Sequence, residues 1–240
     1  MFVRGIKIAK NSMFPIFRFE QINAIQSNVF TVGSGFFINK RGYFVSVAHV
    51  FDNPNNQTSF HYWGQIPDRV HNPAIKIVEI SRDDENDIFV GKIEIQSPHH
   101  FYIAKQLPDI GRSICVSGYP LATIQNNPQG GLDLSGVRRY FQPSFVLDYI
   151  ICNSSNPHGK IRKHNGFLVR DLGLYGMSGG PVFNTSGVVF GMQGSITQPR
   201  TSSGGPGCSI TVQNAVAIRS SLIINLLEKT RIKYNILAKF

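Results

Sequence analysis

The stretch Gly176-Met177-Ser178-Gly179-Gly180-Pro181 is the most informative part of the sequence. A serine hydroxyl is a poor nucleophile unless a base removes its proton, and the oxyanion formed by its attack needs preorganised N–H donors. Glycines around Ser178 allow the backbone to turn so that the amides of Gly176 and Ser178 point at one oxygen. Taken alone, the segment is either a nucleophile with its oxyanion site or a glycine-rich loop between two strands.

Two earlier segments each place one chemically active side chain beside an apolar strand. Residues 43–50 are rich in aromatic and β-branched residues and carry His49 near their end, whereas residues 86–93 carry Asp87 just before an apolar run. Each residue alone has an ordinary explanation, because histidines often close strands and aspartates are common in turns. Together with Ser178 they supply the base and the carboxylate that activation of a serine requires.

The rest of the chain predicts many strands and few helices. Short runs of valine, isoleucine, phenylalanine and tyrosine alternate with turn signals such as Asn-Pro and Gly-Gly, as in an antiparallel sandwich or barrel. Only residues 219–237 repeat apolar residues at helical spacing, which predicts one C-terminal helix. The segments with the least regular spacing of apolar residues predict loops, at residues 52–57, 123–136, 153–165 and 198–207. We therefore expect an all-β fold.

Composition excludes several classes of protein. A hydrophobic fraction of 42% and a charged fraction of 16% in 240 residues exclude a disordered chain and a coiled coil. No apolar run approaches the roughly 18 to 20 residues of a bilayer span, and the first twenty residues lack the pattern of a signal peptide. We expect no membrane partner. Three cysteines without a C-x-x-C pair predict reduced thiols and a cytoplasmic location: Cys115, Cys152 and Cys208.

The formal net charge of +10 raises the question of a nucleic-acid partner. A basic patch could combine the C-terminal helix with Arg138, Arg139, Lys160, Arg162, Lys163 and Arg170. No recognition motif accompanies these residues, and the aromatic residues follow the strand pattern, where a core would place them. We therefore interpret the basic residues as a solvated face and do not expect nucleic acid, although an acidic protein substrate or partner would be attracted by the same field.

On these motifs the chain resembles the trypsin-like serine peptidases of the chymotrypsin fold, and among them the bacterial high-temperature-requirement branch. That family carries histidine, aspartate and serine in this chain order, with an Ala-His pair and a Gly-x-Ser-Gly-Gly segment. The resemblance implies catalytic roles for His49, Asp87 and Ser178, and an oxyanion hole formed at Gly176 and Ser178. Further matches are Gly33-Ser34-Gly35-Phe36-Phe37, Gly118-Tyr119-Pro120 and Ala217-Ile218.

The resemblance also implies an architecture of two six-stranded antiparallel barrels with a C-terminal helix, forming one peptidase unit. We divide the chain into an N-terminal arm, two barrels and the helix, at residues 1–24, 25–115, 116–218 and 219–240. The implied activity is a serine endopeptidase that hydrolyses an intracellular protein through an acyl-enzyme, with no cofactor and no metal. The alternative function is a catalytically silent interaction module that keeps the two barrels.

The substrate pocket is built from loops whose register is easily shifted. By the family's register the base of the pocket is Leu172, which suggests an apolar pocket. Its wall comprises Gln193, Gly194, Ser195 and Ile196. A slip of one residue would place Asp171 at the base and favour arginine or lysine instead.

The residues around the serine also bear on control and on its assignment. Met177 stands where zymogen-activated relatives carry an aspartate, so N-terminal trimming is not implied, and we expect activation by a protein partner or by the substrate. A second Ser-Gly-Gly-Pro string begins at Ser203, but it has Thr201 where the motif needs glycine. Ser178 is therefore the predicted nucleophile.

Overall fold

The computed structural model describes residues 1–21, 27–52, 60–64, 75–95, 99–120, 125–126, 132–133, 137–155, 161–197, 200–203, 209–212 and 214–237. Its helices are α1 (Val3–Ser12) and α2 (Ser220–Lys229), and a single turn of 3-10 helix spans Ala48–Phe51. The strands in chain order are β1 (Met13–Gln21), β2 (Ser27–Phe37), β3 (Tyr43–Ser46), β4 (Phe60–Gly64), β5 (Ile75–Asp83), β6 (Ile88–Ile93), β7 (Tyr102–Ala104), β8 (Ser113–Gly118), β9 (Gln125–Asn126), β10 (Leu132–Asp133), β11 (Tyr140–Ser155), β12 (Ile161–Val169), β13 (Pro181–Phe183), β14 (Val188–Ile196), β15 (Arg200–Ser203), β16 (Ser209–Val212), β17 (Ala215–Arg219) and β18 (Asn235–Leu237).

Twelve of these strands form two closed antiparallel barrels of six strands each, which confirms the predicted all-β fold. The first barrel has the order β1-β2-β3-β6-β5-β4, and β4 pairs with β1 to close it. The second has the order β13-β8-β11-β12-β17-β14, closed by the pairing of β13 with β14. Strands β7 and β18 extend the second sheet in parallel from β14, and β9–β10 and β15–β16 are separate hairpins.

Aromatic side chains fill the first barrel. The ring of Phe14 lies 4.8 Å from that of Phe37 and 5.0 Å from that of Phe44, measured between centroids. Phe89 joins this group through Phe44, at 6.0 Å, and also stacks on Phe51 at 3.6 Å. A separate cluster around Phe167 and Phe190 fills the second barrel. Alternating inward residues on closed strands produce two compact cores, and the loops between the barrels are free to carry function.

The N-terminal segment differs from the predicted arm. Residues 13–21 form β1, which pairs with β2 and β4 and places Phe14 and Ile16 in the first core. Helix α1 contacts the second barrel, because the Gly5 amide donates to Thr185 O at 3.1 Å. Residues 13–17 are all buried, so the first half of β1 is a short apolar run covered on both faces, and such a run has no alternation to mark it as a strand.

Two further boundaries differ from prediction. Residues 153–155 and 161–165 belong to β11 and β12, a long hairpin in which Asn153 pairs with Lys163, and only residues 156–160 lie outside the described part. Helix α2 ends at Lys229 because Thr230 Oγ bonds the Leu226 carbonyl and Arg231 adopts a left-handed φ of 56°. Most of the other predicted loops, at 52–57, 123–136 and 198–207, lies outside the described residues.

Two smaller predictions concern membranes and cysteines. None of the helices in the described part of the chain is long and apolar enough to cross a bilayer. Cys115 is a free thiol buried in β8, and burial raises its pKa to about 12. The Cys152 side chain and all of Cys208 lie outside the described residues, so the prediction of three free thiols stays a prediction.

The placement of β1 predicts a large effect of Phe14→Ala. Removing a fully buried ring from an aromatic cluster leaves a cavity and costs about 3–5 kcal/mol of unfolding free energy. The matched control is Val3→Ala on the exposed side of α1, which we expect to change little. Urea denaturation followed by circular dichroism measures both. Equal, small effects would show that residues 13–21 do not belong to the barrel.

Candidate active site

The most distinctive contact in the first barrel joins His49 to Asp87. His49 lies in the 3-10 turn that follows β3, and its Nδ1 lies 2.7 Å from Asp87 Oδ2. The backbone N–H of His49 donates to Asp87 Oδ1 at 2.9 Å, and Ala48 N–H donates to the Asp87 carbonyl at 3.2 Å. Both oxygens of one carboxylate therefore hold the imidazole and its backbone in a fixed orientation.

Asp87 occupies an unusual backbone position for this task. It precedes β6, has a φ of 58°, and is only 1% exposed. Aspartate is one of the few non-glycine residues that tolerate the left-handed region, and strain of this kind concentrates at functional sites. The turn before it is braced by Asp83, which accepts bonds from the Asn86 amide at 3.0 Å and from Asn86 Nδ2 at 2.8 Å.

Ser178 lies between β12 and β13, in the tight loop that the sequence motif predicts. Gly176 and Gly179 have φ values of 92° and 82°, which side chains rarely adopt. A Cβ on Gly179 would collide with Ser46 Oγ and with the Ser34 carbonyl. Glycine is therefore required at this position both by the backbone angle and by the close approach of the first barrel.

Ser34 on β2 connects the first barrel to the serine loop. Its Oγ donates to the Gly176 carbonyl at 2.8 Å and accepts the Tyr119 amide at 3.0 Å, and its own amide donates to the Ser178 carbonyl at 2.8 Å. Its carbonyl accepts from Ser46 Oγ at 2.7 Å. One buried serine thereby fixes the position of the backbone on both sides of Met177.

A cavity of about 340 Å³ lies between the barrels and brings the predicted residues together. His49, Asp87 and Ser178 all line it, and so does the predicted pocket wall. The complete lining is His49, Asp87, Arg162, Gly173, Leu174, Tyr175, Ser178, Gln193, Gly194, Ser195 and Ile196. The arrangement joins a hydroxyl, an oriented imidazole and a buried carboxylate at the mouth of one pocket.

The remaining predicted residues lie elsewhere. Leu172 is 47% exposed, and neither it nor Asp171 is among the residues that line this cavity. Ser203 ends β15, which pairs with β16 in a separate two-stranded sheet and belongs to neither barrel. Within the described ranges, no group of three or more histidine, cysteine, aspartate or glutamate side chains could hold a metal ion.

The contribution of Arg162 to the site is not visible in the sequence. Arg162 was interpreted as part of a solvated basic face, but its side chain is only 7% exposed and its Nε lies 3.3 Å from Asp87 Oδ1. Its terminal nitrogen lies 2.5 Å from Asp52 Oδ2. Asp52 is also bonded to Arg82. No local pattern signals this contact, because residues 52 and 162 are 110 positions apart in the chain.

Arg82 completes the charged cluster. Its Nε lies 2.5 Å from Asp84 Oδ1, and a terminal nitrogen contacts Asp52. Burial alone would lower the pKa of the Arg82 guanidinium, but its bonds to Asp84 and Asp52 raise it above its ordinary value. Arg82 therefore stays charged and keeps Asp52 paired from the side opposite Arg162.

Comparison with known proteins identifies the family. The family model of the trypsin-like peptidase domain matches residues 33–192, which include His49, Asp87 and Ser178 but end one residue before the pocket wall of residues 193–196. The chain belongs to the trypsin-like peptidase family and is a trypsin-like serine protease. None of the curated proteins matches it.

Solved structures support the same fold. The active form of the Rv3671c protease from M. tuberculosis is 16% identical, with a TM-score of 0.64 over 96% of this chain and 85% of that one. A serine-to-alanine mutant of Rv3671c in an inactive form is 15% identical, with a TM-score of 0.62 over 96% and 92%. At this level of identity the similarity concerns the fold alone.

The Ser34 contacts predict a measurable loss of stability in Ser34→Ala. The substitution removes the buried hydrogen bonds of the Ser34 hydroxyl with the Gly176 carbonyl and the Tyr119 amide, which costs about 1–3 kcal/mol of unfolding free energy. Ser12→Ala is the matched control, because Ser12 is equally buried and its Oγ has no hydrogen-bond partner among the described atoms. Urea denaturation compares the two. Equal values for both variants would contradict a bridging role for Ser34.

Proposed function

We propose that the protein is a serine endopeptidase that cleaves peptide bonds of a protein substrate through a Ser178 acyl-enzyme. The observation that carries this proposal is the 2.7 Å contact between His49 Nδ1 and Asp87 Oδ2 beside a cavity that Ser178 also lines. With Nδ1 bonded to the carboxylate, the other ring nitrogen is the one left to accept a proton. No cofactor takes part in this proposal.

The residues divide the chemistry among them. His49 accepts the hydroxyl proton of Ser178 as the oxygen attacks the carbonyl carbon, and returns it to the leaving amine. Asp87 keeps the imidazole in the required tautomer and stabilises the imidazolium. A water molecule, activated by the same imidazole, then hydrolyses the ester.

The oxyanion of each tetrahedral intermediate is assigned to the amides of Gly176 and Ser178. Support comes from the left-handed φ of Gly176 and from the Ser34 bonds that hold the Gly176 and Ser178 carbonyls. Because those carbonyls are bound to the first barrel, the backbone between them cannot rotate freely. Each preorganised donor of this kind raises the turnover rate by a factor of about 10²–10³.

The cavity favours an uncharged side chain next to the cleaved bond. The lining away from His49, Asp87 and Arg162 carries no formal charge, and it includes Leu174 and Ile196. We therefore propose that an apolar residue binds against the wall of residues 193–196. A basic residue would find no carboxylate among the residues of that wall.

We propose that the activity is controlled by the residues that directly precede Gly176. Tyr175 is 76% exposed, whereas Gly176 and Met177 are buried and held by the first barrel. Gly173 lets the exposed residues before Gly176 change conformation at little cost. We propose that a protein partner or the substrate itself orders this segment.

Two further proposals concern the protein as a whole. We propose that it acts in the cytoplasm, and that its relatives are the high-temperature-requirement peptidases.

The triad predicts the result of labelling with a fluorophosphonate probe, which reacts only with an activated serine. The wild-type protein should be labelled, and Ser178→Ala should not. His49→Ala should slow labelling by about 10⁴–10⁶, and Asp87→Asn by about 10⁴, because the three groups act as a unit. Ser203→Ala is the matched control within the repeated Ser-Gly-Gly-Pro string. Loss of labelling in Ser203→Ala, or none in the wild type, would overturn the assignment.

The proposed control predicts weak activity of the isolated protein. Turnover of short peptides, normalised to the fraction of probe-reactive serine, should rise when an unfolded protein substrate is added, by up to about 10²–10³ if one oxyanion donor is restored. The Ser178→Ala variant provides the background rate. Full activity on short peptides without any addition would contradict activation by a partner or substrate.

A further inference from the structure

A buried arginine from the second barrel contacts the catalytic carboxylate of the first. Arg162 lies on β12, near the tip of the β11–β12 hairpin, and its side chain is almost completely buried. Its Nε lies 3.3 Å from Asp87 Oδ1 in an ion pair that lacks hydrogen-bond alignment. The same guanidinium bonds Asp52 at 2.5 Å. Arg162 therefore bridges two carboxylates that belong to the other barrel.

The backbone beside Arg162 makes the same connection. The Lys163 amide donates to the Glu85 carbonyl at 2.7 Å, in the turn that leads to Asp87. The hairpin thus rests on the β5–β6 turn through one hydrogen bond and one ion pair. Because Asp87 has a left-handed φ of 58°, contacts with its surroundings are needed to hold it there.

The charges in this cluster fit the needs of the reaction. A carboxylate as buried as Asp87 is costly unless it is paired, and the proposed mechanism uses the neutral form of His49 as the base. Arg162 supplies the missing positive charge, and Asp52 prevents it from cancelling Asp87 completely. With Arg82 and Asp84 included, three carboxylates and two guanidiniums leave one net negative charge, which the imidazolium neutralises when it forms.

We propose that Arg162 is a positioning residue for this peptidase: held by Asp52, it fixes Asp87 against His49 and locks the second barrel to the first on the histidine side. The proposal rests on the proposed function, because it assigns Arg162 a part in the same catalytic site. Arginine suits the position better than lysine, since a planar guanidinium can bridge two carboxylates from different nitrogens.

Labelling rates with the fluorophosphonate probe test the proposal in the full-length protein. Arg162→Met should slow labelling by about tenfold to a hundredfold, the effect of a small displacement of a catalytic group. Arg162→Lys should recover part of the rate, and Asp52→Asn should lower it while leaving Arg162 beside Asp87. Arg138→Met is the matched control, because it removes the same charge from an exposed arginine. Wild-type labelling by folded Arg162→Met would overturn the proposal.

A second measurement does not depend on activity. The proton on His49 Nδ1, bonded to a buried carboxylate, gives a resonance far downfield of the amide region, identified by its loss in His49→Ala. In Arg162→Met and Asp52→Asn this resonance should shift or disappear, whereas in Arg138→Met it should stay. An unchanged resonance in both cluster variants would overturn the positioning role.

The two measurements together separate the possible failures. If the wild type is not labelled, the proposed function fails, and the Nδ1 resonance alone decides the role of Arg162. If Arg162→Met does not fold, as judged by circular dichroism, Asp52→Asn and Arg162→Lys carry the test. A pure stability role predicts lower thermal midpoints in these variants with unchanged labelling rate and resonance per folded molecule, and this result would also overturn the proposal.

Discussion

The active site depends on how two independently closed barrels are held in a fixed relative position. His49 and Asp87 belong to one barrel and Ser178 to the other, so chemistry between them requires the barrels to keep a fixed relation. On the side of Ser178, Ser34 holds the two barrels together through three hydrogen bonds of 2.8–3.0 Å to the backbone of the second barrel. These bonds are buried, and breaking them costs free energy because polar groups lose their buried partners. The relative position of the two barrels is therefore costly to change.

On the side of His49 the two barrels are joined by the ion pairs of Arg162 with Asp52 and Asp87. A buried carboxylate is tolerated only when its surroundings compensate it, and Asp87 receives two contacts from His49 and one from Arg162. The same Arg162 is shared with Asp52, so the cluster is neither neutral nor strongly charged. In the proposed mechanism this network would serve both structure and catalysis, because the negative charge that remains is the one an imidazolium would require.

The cavity between the barrels has two chemically distinct ends. The charged and titratable residues lie on the side of the first barrel and the hairpin, while the wall formed by the end of β14 is neutral. Tyr175 also lines the cavity, is exposed and directly precedes the buried Gly176. In the proposed mode of binding, a substrate in this cavity would contact residues of the serine loop that Ser34 does not bond.

The two-barrel fold was implied by the resemblance to the trypsin-like peptidases. The sequence by itself predicted most of the strands, the C-terminal helix and the candidate residues around Ser178. These features are local: strand patterns have a period of two residues, and the glycines beside Ser178 are required by backbone angles that few other residues adopt. The membership of β1 in the first barrel and the burial of Arg162 were decided by the tertiary structure. Both depend on partners distant in the chain, for Arg162 an aspartate 110 residues away, and the identity of such partners is set by barrel closure rather than by any local pattern.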